Sequence, residues 1–180
     1  MSHPQVVIHG TPDLLAAATA ARLITTLIDI QATGRIPAIA LTGGGVGIKL
    51  LVRVRESPAC AAIDWSRVEI FWGDERFVPA ADPERNEKQA REALLDHVPV
   101  DPARVHAMAP SDSEFGDEVD AAAAAYAEII DARDGLDLVM LGMGDEGHVA
   151  SIFPESPPCT TPGPWCRSAI ARSHRRPGYR

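Results

Sequence analysis

The feature that most constrains this chain is an alternation of short apolar runs with helix-like segments, each run breaking into glycine or charge. Ile36 to Leu41 enters Thr42-Gly43-Gly44-Gly45, and Val68 to Trp72 enters Gly73-Asp74-Glu75-Arg76. Leu136 to Leu141 enters Gly142-Met143-Gly144-Asp145-Glu146-Gly147-His148. Parallel strands are buried on both faces and need long crossovers, so the alternation predicts an α/β fold. It should be doubly wound, a mostly parallel sheet with helices on both faces. Val6-Val7-Ile8 reads as a first short strand and Val105 to Met108 as another. Thr11-Pro12-Asp13 supplies an N-cap hydroxyl, a proline at the first helical position and a first-turn acid. That helix should run to about Thr33 and stop at Gly34. Further helices are expected from Val46 to Arg55, Glu84 to Asp96 and Glu114 to Arg133, the last around the alanine run 121–125.

Ligands in open α/β sheets sit beyond the carboxyl ends of the strands, where all three loops fall. Gly43, Gly44 and Gly45 can bring backbone N–H groups close to an anion at a helix N-terminus, or can serve only as a tight turn. The loop is no Walker motif, because Gly47-Ile48-Lys49-Leu50 lacks the Gly-Lys-Ser/Thr ending. Arg76 can bind phosphate or carboxylate with Asp74 and Glu75 orienting it, or the three can be a solvated charge cluster. Residues 142–147 satisfy GxGxxG, yet Pro154 interrupts the helix a dinucleotide site needs and no acid stands near position 162. His148 is suited to take a proton from water near neutral pH, or is a structural histidine.

Composition narrows the partners. With 25 acidic against 17 basic residues the net charge is −8, which disfavours nucleic acid and anionic membrane surfaces. The longest apolar stretch, Leu14 to Ile30, is broken by Arg22 and Asp29 and reads as a buried helix, not a membrane span. Cys60, Cys159 and Cys166 read as reduced thiols, and Met1-Ser2-His3-Pro4 shows no secretory signal, so a cytoplasmic protein is expected. Residues 159–180 carry five arginines and no acid, +5, against −13 for the 12 basic and 25 acidic residues before them. The reading is one domain over residues 1–158 and an atypical basic tail over 159–180 outside the fold.

Together the loops resemble the 6-phosphogluconolactonase family. The resemblance rests on Leu41-Thr42-Gly43-Gly44-Gly45, on Phe71 through Pro79 with Asn86 downstream, and on Leu138 through Pro154. It covers roughly residues 5 to 157. The chain departs from the usual pattern at Gly45-Val46-Gly47, at Arg85 before Asn86, and at Glu146. The resemblance implies a sugar-phosphate isomerase-like fold and hydrolysis of 6-phospho-glucono-1,5-lactone without metal or cofactor. By it, His148 is the general base. Arg76, the glycines 43–45, Asp74, Asn86, Gly144 and Glu146 meet the phosphorylated sugar lactone. Glucosamine-6-phosphate deaminase looks like the same fold, but that family has Asp-Glu-Tyr where this chain has Asp74-Glu75-Arg76. Its histidine loop also continues differently from Ala150-Ser151-Ile152-Phe153-Pro154. Members usually run longer, so the C-terminal part of the fold is expected to be missing. The alternative is an inactive truncated or frameshifted remnant, prone to aggregate.

Overall fold

A computed structural model describes residues 4–152 and Pro154, and the expectations on residues 159–180 lie outside the described residues. Helix α1 spans Pro12–Ala32; Thr11 Oγ1 accepts a hydrogen bond from Leu14 N at 3.2 Å, and Gly34 leaves the helix at φ +83°. Strand β1 (Ala38–Leu41) is buried at all four positions, which requires cover on both faces of the sheet. Helix α2 spans Gly44–Glu56, β2 spans Glu69–Trp72, α3 spans Asn86–Ala93, α4 spans Val119–Asp131 and β3 spans Leu138–Val139. The order is β2-β1-β3, every pairing parallel. Ala38 to Leu41 run in register with Glu69 to Trp72, while Ile39 and Ala40 face Leu138 and Val139.

The core lies where α1 and α2 meet the sheet, with Leu23, Leu27, Ile39, Leu41, Leu51, Val54, Phe71 and Trp72 all nearly inaccessible. Each such side chain contributes on the order of 1.5–3 kcal/mol by leaving water. Trp72 ends β2 against α4: its N–H donates to Tyr126 Oη at 2.9 Å, and that hydroxyl donates back to the Trp72 carbonyl at 3.2 Å. Burial pushes the Tyr126 hydroxyl far above its ordinary pKa, so it remains a donor. Among the described residues no helix is long and apolar enough to cross a membrane.

Three expectations need correction. Residues 6–8 form no strand; Val6 and Ile8 are 85% and 90% exposed, and without a neighbouring strand three apolar residues cannot hold a ladder. The 105–108 strand reduces to one parallel bridge, Val105 with Ile70, closed by His106 N donating to Ile70 O at 2.8 Å. The helix expected from Glu114 begins only at Val119, because the chain first turns at Gly116 with φ +51°.

Candidate active site

The three candidate loops leave the carboxyl ends of their strands and are stitched together. After β1, Gly43 is the N-cap of α2, and Gly44 opens the helix at φ +79°, a left-handed conformation that suits glycine. The first amides of a helix have no intrahelical partners, and among the described residues no side chain caps those of α2, which suits them to an anion. The turn is tight, since a Cβ on Gly47 would stand 2.8 Å from the Thr42 carbonyl oxygen.

After β2, Glu75 turns inward. One carboxylate oxygen accepts from Arg76 N and Asn86 N, both at 2.7 Å, and the other from Glu87 N at 2.8 Å. Glu75 is thus the N-terminal cap of α3, which has no local side-chain cap of its own. The Arg85 guanidinium stands 3.7 Å from Glu75 and donates to the Met108 carbonyl at 2.8 Å. Among the described residues the buried polar or charged side chains are Glu75, Arg85 and Asn86, all at this junction. Burial raises the Glu75 carboxyl above its ordinary value, against the three N–H groups and Arg85, which favour its charge.

Asn86 joins loop to loop. Its Nδ2 donates to the Asp74 carbonyl at 3.0 Å, and a Cβ on Gly43 would fall 1.8 Å from its Oδ1. The Arg76 side chain is exposed and lines an open groove of about 880 Å³ with Gly44, Gly45, Asn86, Lys49 and Arg53. Lys49 is held by Asp13 at 2.9 Å and Arg53 by Glu56 at 2.7 Å, whereas Arg76 makes no side-chain ion pair among the described residues. The sequence-derived residues Gly44, Gly45, Arg76 and Asn86 therefore meet at one groove, with Gly43 beneath Asn86.

His148 lies outside that groove's lining, on the loop after β3. Gly142 N donates to Thr42 Oγ1 at 3.3 Å, Gly144 N to the His148 carbonyl at 2.9 Å, and Gly147 N to the Gly144 carbonyl at 2.9 Å. The loop wraps so closely that a Cβ on Gly144 would come 2.0 Å from the imidazole. The glycines of this GxGxxG match thus serve a tight turn and imidazole packing. The ring is about one-third exposed, and its Nδ1 stands 3.3 Å from Glu146 Oε2. Asp74 connects this loop to the groove: Asp74 Oδ2 accepts from Ser151 Oγ at 2.8 Å. Sequence reasoning singled out neither Ser151 nor the inward role of Glu75 and the burial of Arg85. Their partners lie up to 77 positions away, a distance no local pattern encodes.

A parallel α/β sheet with glycine, arginine and histidine loops gathered at its carboxyl edge defines the class of protein by fold and site, and sequence comparison narrows it. Residues 10–180 match the family described as glucosamine-6-phosphate isomerases/6-phosphogluconolactonase, and the chain belongs to that family. The 6-phosphogluconolactonase of Streptomyces coelicolor is 52% identical over 163 residues, covering 86% of this chain and 62% of that relative. The chain thus spans about three-fifths of that relative's length. The solved 6-phosphogluconolactonase of Trypanosoma brucei superposes with a TM-score of 0.72 at 28% identity, over 86% of this chain and 65% of that one. A monomeric glucosamine-6-phosphate deaminase superposes with a TM-score of 0.67 at 15% identity, over 81% and 58% of the two chains, a likeness of fold alone.

Proposed function

We propose that this chain carries the chemistry of 6-phosphogluconolactone hydrolysis. The observation that carries the reading is His148 beside Glu146, on a loop hydrogen-bonded to both the glycine turn and the arginine loop. In this reading His148 accepts a proton from water as the water oxygen bonds to the lactone carbonyl carbon. Collapse of the tetrahedral adduct breaks the bond to the ring oxygen, which takes up a proton and leaves as an alcohol, giving 6-phosphogluconate. Glu146 stabilises the imidazolium formed on the way. Arg76 and the first amides of α2 bind the phosphorylated sugar, with Asn86 bordering the groove. Two similarities support the lactonase over the deaminase: the 52% identity to a lactonase, and Arg76 following Asp74-Glu75.

The test is hydrolysis of 6-phospho-glucono-1,5-lactone by the purified chain, followed by acid release. General-base assistance is worth about 10² to 10⁴ in rate, so His148→Ala should lower kcat at least about a hundredfold. Near-normal kcat in that variant would place the base elsewhere.

A further inference from the structure

We propose that Asp74 and Ser151 form a clasp that seats the His148 loop on the Arg76 loop, Asp74 being a positioning residue. The proposal rests on the reading of His148 as the base. Two observations point to it independently. The first is backbone conformation. Ala150 and Ser151 have φ of 45° and 60°, consecutive left-handed residues that are not glycine, two and three positions after His148. Such residues are strained and persist only where surrounding contacts over-determine them.

The second is the set of contacts that does so. Ser151 Oγ donates to Asp74 Oδ2 at 2.8 Å, and Val149 and Ile152 exchange backbone hydrogen bonds at 3.2 and 2.9 Å. Among the described residues, the Ser151–Asp74 hydrogen bond joins the segment after His148 to the loop after β2. Asp74 is itself fixed from its other side, because Asn86 Nδ2 donates to its carbonyl at 3.0 Å and reaches its Oδ1 at 3.4 Å. Asn86 in turn lies against Gly43. The chain of contact Gly43–Asn86–Asp74–Ser151 therefore crosses all three loops and ends three residues from the imidazole. Asp74 sets where the base sits relative to the groove holding Arg76. Its Oδ2, engaged by Ser151, faces the loop and not the groove.

The experiment compares the full chain with Ser151→Ala, Asp74→Ala, the double variant and Ser151→Asn. Asparagine keeps a hydrogen-bond donor and tolerates positive φ. Lactone kinetics are read together with the NMR signals of the histidine rings, His148 being assigned from His148→Ala. We expect Ser151→Ala to lower kcat by about tenfold to a hundredfold with KM unchanged, the signature of a misplaced group. The His148 ring signal should move while the other histidines and the unfolding midpoint do not. The double variant should be no worse than Asp74→Ala, since both remove one contact. Ser151→Asn should recover most of the rate. An unmoved His148 signal in Ser151→Ala, or effects that multiply in the double variant, overturns the clasp. If the parent chain hydrolyses no lactone while the ring signal still moves, the lactonase reading fails and the clasp stands.

Discussion

Glu75 caps α3 from eleven residues upstream, where most helices use a neighbouring serine or aspartate. Its three backbone donors and the buried Arg85 make it the residue whose loss is felt most widely at the loop junction. Removing one member of a buried pair leaves the other charge uncompensated, an effect of about 3–5 kcal/mol. Glu75→Ala is expected to destabilise the chain by that order in urea unfolding. Arg85→Met, which removes the charge and keeps most of the volume, should be much milder because Glu75 retains its N–H partners. Equal losses in the two variants would mean that the charge pair with Arg85, and not the N–H groups on Glu75, dominates.

At the scale of elements, the glycine turn separates two demands that sequence alone leaves merged. A Cβ on Gly45 would meet nothing within 4 Å, whereas one on Gly43 would meet Asn86. Gly45→Ala should therefore stabilise α2 by about 0.5–1 kcal/mol, the ordinary helical advantage of alanine over glycine. If the Gly45 amide approaches the substrate, the same variant should raise KM. Gly43→Ala should lower the unfolding midpoint. A Gly45→Ala chain no more stable than its parent would refute the packing argument. The turn itself was legible in the sequence, as were α1, β1, α2, β2 and the loop ending at His148, because strand period, capping chemistry and glycine act locally. Residues 6–8 were misread because three apolar side chains look alike with or without a partner strand. Glu75, Arg85 and Ser151 were not legible as partners, because their roles exist only once distant segments meet.

Across the whole molecule, Glu69 at the start of β2 gathers the far end of the sheet. It accepts hydrogen bonds from Arg104 and His106 and pairs with the Arg133 guanidinium, each at 2.8 Å, and His106 stacks on Phe71 with ring centres 4.5 Å apart. Burial pushes its carboxyl up, but the hydrogen bond from His106 and the arginine charges prevail and hold it below its ordinary value. Its ionised form thus stabilises the fold above about pH 4.3, and that stabilisation is lost as pH falls through the depressed value. Glu75 runs oppositely: held above its ordinary value, it favours the fold at low pH and loses that contribution as pH rises through the raised value. Glu69→Gln should therefore flatten the acid limb of the stability profile, read as urea midpoints from neutral pH to well below about pH 4.3. An unchanged limb would assign it to other carboxylates. At the sheet's other flank, β1 meets β2 over four residue pairs but β3 over two. Local openings are cheapest where few buried contacts hold a segment. In native-state hydrogen exchange, the amide of Met140, bonded to the Ala40 carbonyl at 2.9 Å, should therefore trade its proton sooner than that of Gly73, bonded to Leu41. The His148 loop hangs from β3, so the histidine should leave and regain its place beside the groove many times within the lifetime of one folded molecule.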